Sequence, residues 1–306
     1  MAITAAAVNE LRKITGSGLM DCKKALTECD GDQAKAVDWL REKGLASQAK
    51  KATRVSAEGM AYAAVVDGIG VVVEVNCESD FVAGNPLFVD FVKGLAEVVA
   101  KEAPADVESL QDCKWTDGVK TVAEAKNDLF LSVRENIQIR RFERVAEGVS
   151  VPYVHMKGKI GVLVTLDTAS ADTKVVDLGK AVAMQVASMN PQYLTKEMVD
   201  PAFIEHEKEV RLAQAKEDPK NAKKPEAIIE KIVMGGIEKY YKEICLLQQE
   251  FVMDSSFTVE SYVASVAKEV GAPIAVKGYI RYEKGEGIEK RQDDLAAEVA
   301  KMTGKA

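Results

Sequence analysis

At 306 residues and 47% hydrophobic, the chain has apolar surface enough for more than one buried core. Its formal charge of -7, with acids and bases interspersed, argues against a nucleic-acid binder that relies on bulk positive charge. Apolar runs stop short of the roughly 18 residues a membrane span needs, and the N-terminus lacks a basic-then-apolar signal pattern, so a cytoplasmic protein is expected. Cys22, Cys29, Cys77, Cys113 and Cys245 are scattered without a CxxC spacing, which fits reduced thiols rather than a disulfide frame or a metal site.

Residues 1–46 read as a three-helix module. Thr4 caps a helix from Ala5 to Ile14, Gly16-Ser17-Gly18 breaks it, and Met20 to Cys29 forms the second. Asp32 caps a third from Gln33 to Lys43, which Gly44 is expected to close. Val8, Leu11, Leu26, Val37 and Leu40 form its candidate core, and the turn before Met20 should leave Leu19 or Met20 exposed. Residues 47–55 are small and basic and read as a linker.

The central region, 56–145 followed by 146–200 and 236–282, contains an internal repeat. Tyr62, Ile69, Gly70, Val71 and Val73 recur as Tyr153, Ile160, Gly161, Val162 and Val164 at a constant offset of 91 (153 − 62). Each copy reads as strand, tight turn, strand and amphipathic helix, so the expected class is α+β, with two related subdomains of antiparallel sheet covered by helix. In the first copy, alternating valines from Val71 to Val75 lead into Cys77-Glu78-Ser79-Asp80-Phe81-Val82-Ala83-Gly84, and Asn85-Pro86 starts a helix buried through Phe88, Phe91, Val92, Leu95 and Val99. A Phe in such a loop either plugs the local core or projects as an anchor for a partner. Between the copies lie a helical stretch near Val119 to Val133 and a strand from Ile137 to Phe142.

Residues 201–235 read as a charged helical hairpin broken at Asp218-Pro219-Lys220-Asn221. Its second helix continues as Ile228/Ile229, Ile232/Val233, Ile237, Tyr240/Tyr241 and Ile244, a stripe explained by self-packing or by homodimerisation. A helix around Val259, Val263 and Val266, a strand from Ala275 to Tyr282 and a C-terminal helical module, 283–306, carrying Leu295, Val299 and Met302 complete the chain.

Convergent chemistry is sparse. Of the two histidines, His206 falls in the charged hairpin and His155 in a strand, where a structural imidazole is the simpler reading than a catalytic base. Phosphate-loop, dinucleotide and nucleophile-elbow motifs are missing, so no cofactor or metal is expected. An interaction protein presenting an Asp-Phe loop is the reading the residues favour, with an adaptor built on the three-helix module, or an enzyme centred on His155, as the alternatives.

Four long stretches, LRKITGSGLMDCKKAL from Leu11, GVVVEVNCESDFVAGN from Gly70, KIGVLV from Lys159 and GEGIEK from Gly285, occur in the order found in one family. Through them the chain resembles bacterial translation elongation factor Ts, the guanine-nucleotide exchange factors of elongation factor Tu. The resemblance implies a ubiquitin-associated-like (UBA-like) N-terminal module, a two-subdomain core, a protruding coiled-coil dimerisation hairpin and a C-terminal helical module. It also implies that Ser79, Asp80, Phe81 and Val82 dislodge the magnesium ion of the GTPase partner, with Phe81 as wedge and Asp80 fixing the loop by hydrogen bonds. Arg12, Leu19 and Met20 would grip the partner, and His155 would lie against it. Covalent chemistry, direct nucleic-acid binding and membrane association are not implied. Ser79 stands where Thr is common in the family, and Gly84 where a basic residue is frequent.

Overall fold

Side-chain caps open most of the helices. The computed structural model describes residues 3–218 and 224–289. Thr4 accepts a bond from the Ala7 amide at 3.2 Å and starts α1 (Ala5–Thr15); Gly16, in the left-handed region at φ 68, ends it. The second helix, α2 (Leu19–Glu28), and the third, α3 (Gln33–Lys51), pack on α1 around Val8, Leu11, Cys22, Ala25, Leu26, Ala36 and Leu40. Val37, expected in this core, sits at its half-buried edge.

Gly44 does not close α3. The helix runs through it to Lys51, so most of the segment expected as linker is helical. Gly44 is buried, and a Cβ there would stand 2.7 Å from Leu131 Cδ2 on the later helix that α3 crosses. The glycine serves close helix approach instead of a cap, and a tertiary contact overrides the local stop signal.

Two hairpins then build two sheets. In the first, β1 (Glu58–Val66) pairs antiparallel with β2 (Ile69–Cys77), and β2 pairs with β3 (Gln138–Val145). Between β2 and β3 the chain makes the single turn α4 (Asp80–Ala83), the long α5 (Pro86–Glu102), the short α6 (Val107–Asp112) and α7 (Val122–Val133). In the second sheet, β4 (Val149–His155), β5 (Ile160–Asp167) and β6 (Ala275–Glu283) follow the same order, with α8 (Thr173–Met189) after β5. Two charged helices, α9 (Pro201–Glu217) and α10 (Glu226–Ile244), and then α11 (Val259–Val270) separate α8 from β6. Asp200 caps α9 with Pro201 at its first position, and along α9 and α10 Leu212, Ala215, Ile229 and Val233 pack together. The class is α+β.

The repeat extends to the third strands. A bulge shifts the register between Glu74 and Val75 in the first sheet and between Thr165 and Leu166 in the second, again 91 residues apart (165 − 74). The sheets lie face to face. Ala61, Ala63, Val72, Leu163 and Tyr282 form the layer between them, α5 covers the outer face of the first and α8 with α11 that of the second. Consequently β2 is buried along both faces. Phe88, Val92 and Leu95 of α5 are fully buried on it, each worth about 1.5–3 kcal/mol relative to an exposed side chain.

A buried carboxylate crosses the first sheet. Glu74 has no solvent exposure, yet it receives Arg140 Nη1 at 2.9 Å, Arg141 Nε at 2.6 Å and the Gly285 amide at 2.8 Å. The bulge makes this double contact accessible, since Arg140 is the extra residue between the partners of Glu74 and Val75. Arg141 also reaches Glu286 at 3.0 Å and lies 4.0 Å over the Tyr282 ring, so the start of the GEGIEK stretch is pinned to the core. The helix expected from Gly285 to Met302 does not begin there, since residues 284–287 form a turn with Gly285 and Gly287 at positive φ; its remainder from residue 290 lies outside the described residues.

Candidate functional site

The site grows from the end of a buried strand. As β2 leaves the core at Cys77, Ser79 takes extended backbone angles and its Oγ accepts the Val82 amide at 3.3 Å, capping α4. That single turn orients two apolar side chains oppositely. Val82 is buried in the α5 core, whereas Phe81 is 87% exposed. Phe81 therefore projects and is no plug.

Three residues outside the loop fix it. Glu135 Oε2 accepts the Glu78 amide at 3.0 Å and the Ser79 amide at 2.9 Å, and Glu135 Oε1 accepts the Ser79 hydroxyl at 2.5 Å. Glu78 in turn accepts the Asn136 amide at 2.7 Å and pairs with Arg54 at 3.2 Å. The Asn136 side chain donates to the carbonyls of Ala52 and Arg54. Behind the loop, Cys77 donates to the Ser79 carbonyl at 3.1 Å; burial, reinforced by the negative charge of Glu135, pushes its thiol up to about 12.

The brace corrects the expected role of Asp80. Its carboxylate is exposed in the first turn of α4 and makes no hydrogen bond or ion pair with the described residues; Glu135 does the fixing. Glu135 lies just past the C-terminus of α7, where the helix dipole disfavours an acid, and that awkward placement is the one sequence signal that points to it.

The N-terminal module presents a second surface. At the turn between α1 and α2, Leu19, Met20 (72% exposed) and Ile14 (62% exposed) all face solvent, and Arg12 is exposed beside them. Ile14 belongs with them, a position that its place at the end of α1 does not single out in the sequence. The turn rests on α7, because a Cβ at Gly16 would stand 2.4 Å from Ser132 Oγ, and Asp21 pairs with Arg134. Thus the structure connects Arg12, Leu19 and Met20 to the Phe81 loop through α7. His155 stands apart at the end of β4, half-buried, with its Nδ1 2.9 Å from the Tyr153 hydroxyl. Groups of His, Cys, Asp and Glu able to hold a metal do not occur among the described residues, and none of their helices is long and apolar enough to cross a membrane.

A rigid α+β scaffold that displays a braced aromatic beside an apolar helical tip has the build of a protein that acts by contact with another. Residues 78–286 match the family model described as Elongation factor TS. Over 306 residues the chain is 47% identical to "Elongation factor Ts" of Syntrophotalea carbinolica, covering 99% of this chain and 100% of that protein. It is 48% identical to the protein of that name in Clostridium kluyveri (98% of each chain) and 50% identical to that of Symbiobacterium thermophilum (99% of this chain, 98% of the relative). The chain belongs to the elongation factor Ts family, proteins of translation elongation.

Proposed function

We propose that the protein is the guanine-nucleotide exchange factor of elongation factor Tu, binding the GDP-bound GTPase and releasing its nucleotide with Ser79, Asp80, Phe81 and Val82. The carrying observation is Phe81: a large apolar ring, 87% exposed, on a turn held by three hydrogen bonds to one carboxylate. Exposing such a ring has no stabilising effect on the isolated fold; burying it in a partner gains about 1.5–3 kcal/mol. Phe81 would insert between side chains next to the partner's phosphate and magnesium site, and Asp80, whose carboxylate has no partner among the described residues, would meet partner groups. Ile14, Leu19, Met20 and Arg12 supply a second contact, with the three-helix module as a UBA-like unit. His155 and the C-terminal module, 283–306, extend the contact, and the hairpin of α9 and α10 offers a homodimer surface.

Exchange then follows from linkage. A factor that weakens nucleotide binding a hundredfold is itself weakened a hundredfold by nucleotide, a coupling of about 2.7 kcal/mol. Incoming nucleotide expels the factor, so it turns over in the cytoplasm without covalent chemistry.

Release of a fluorescent GDP analogue from elongation factor Tu, followed by stopped flow, tests this. Wild type should accelerate release, and Phe81→Ala, still folded, should lose about tenfold or more, the order expected for removing a hot-spot aromatic. Binding without acceleration would reduce the protein to an adaptor.

A further inference from the structure

Glu135 is held from both sides. Arg134 before it ends α7 in the left-handed region at φ 61, pairs with Asp21 of the N-terminal module, and accepts Lys51 Nζ at its carbonyl at 2.6 Å. Asn136 after it is bonded to Glu78, Ala52 and Arg54, and its carbonyl accepts the buried Ser56 hydroxyl at 3.2 Å. The carboxylate between them is a fixed point, and all three bonds it accepts come from Glu78 and Ser79, in the turn that precedes Phe81.

Resting on the exchange reading above, we propose that Glu135 is the positioning residue for Phe81. The Ser79 hydroxyl has one hydrogen, and Glu135 takes it. This orients the oxygen so that a lone pair meets the Val82 amide, the cap of the turn that carries Phe81. A four-residue helix has too few internal bonds to persist alone. Phe81 is too exposed for packing to set its direction, so the turn sets it. Without Glu135 two amides and the cap lose their fixed partner, and the ring must be ordered during binding, at the expense of rate. The same turn also carries Val82 into the α5 core, so Glu135→Ala loses some stability as well, and the cycle below isolates the part that acts through Phe81.

The experiment is a double-mutant cycle on nucleotide release from elongation factor Tu, using full-length Glu135→Ala, Phe81→Ala and the double variant. Glu135→Ala should slow release about tenfold in the wild-type background and less than about twofold in the Phe81→Ala background, as expected when one group acts through another. Glu135→Gln, which keeps an acceptor oxygen, should recover to within about threefold of wild type. Equal slowing in both backgrounds, or unchanged release, overturns the proposal. Should Glu135→Ala fail to fold, the same cycle with Glu135→Gln decides, its smaller slowing vanishing in the Phe81→Ala background if the proposal holds. Amide exchange of the isolated protein separates this inference from the exchange reading. If wild type fails to accelerate release, the exchange reading falls, while protection at Val82 and Ala83 that is unaltered in Glu135→Ala overturns the positioning role itself.

Discussion

Removing Glu74 should destabilise the core more than removing any surface acid. In Glu74→Ala the arginines at 2.9 and 2.6 Å and the Gly285 amide at 2.8 Å all lose the carboxylate that joins them. Breaking a buried ion pair by deleting one partner costs about 3–5 kcal/mol. Arg140 and Arg141 keep about a third of their side-chain surface in water, and Arg141 retains Glu286, which places the expectation at the lower end, about 3 kcal/mol. Glu74→Gln keeps shape and one acceptor and should lose about 1.5–2 kcal/mol. Urea unfolding followed by circular dichroism reads both. Tryptic cleavage after Lys284 supplies an independent signal, because the freed Gly285 amide loosens that bond. A triple replacement of Glu74, Arg140 and Arg141 by methionine should cost less than Glu74→Ala alone, since it removes the charges together. If Glu74→Ala unfolds within 0.5 kcal/mol of wild type, about the scatter of an ordinary surface substitution, the reasoning about the buried carboxylate is wrong.

Gly285→Ala should be severe, for the residue sits at φ 69 and a Cβ would stand 2.2 Å from the Ala57 carbonyl oxygen; faster tryptic cleavage after Lys284 would show it. Gly44→Leu should separate α3 from α7, lowering the N-terminal module's unfolding temperature while the sheets unfold as in wild type; a single unshifted transition would refute the close contact with Leu131. Cys77, with its thiol pushed up to about 12, should alkylate about a thousandfold more slowly at pH 8 than a thiol of ordinary pKa near 9, read by mass spectrometry of iodoacetamide-treated native protein. Raising the pH toward 12 speeds the reaction, as the thiolate forms. Gly84→Lys should fold normally, because φ is −86 and a Cβ would meet only the Asp80 carbonyl oxygen at 3.5 Å and the Phe81 carbonyl oxygen at 3.8 Å.

What was legible in the sequence is what local chemistry decides. Thr4, Asp32 and Asn85 cap the helices they precede, the Val71–Val75 alternation gives a strand, and the repeat at 91 residues reports two sheets of the same strand order, although the first strands slip by two residues, Tyr62 facing Val73 and Tyr153 facing Val162. Features set by distant partners were hidden. Gly44 reads as a stop because no local signal announces Leu131, and the resemblance implies Asp80 as the loop's anchor, whereas the anchor is 56 residues beyond Ser79 in sequence. Whether Phe81 faces core or water depends on the geometry of one helical turn, in which Val82 takes the inward position.

The facing of the two sheets has a mechanical consequence. Where they meet, a Cβ at Gly161 would stand 2.9 Å from the Ala61 carbonyl carbon, and one at Gly70 would stand 2.7 Å from Leu163 Cδ2. At Gly161 backbone thus rests almost directly on backbone, and at Gly70 on the Leu163 side chain, so the layer between the sheets is thin. Such a body behaves as an anvil. On the exchange reading proposed above, a ring mounted on it and pressed into a partner would displace the partner rather than the sheets.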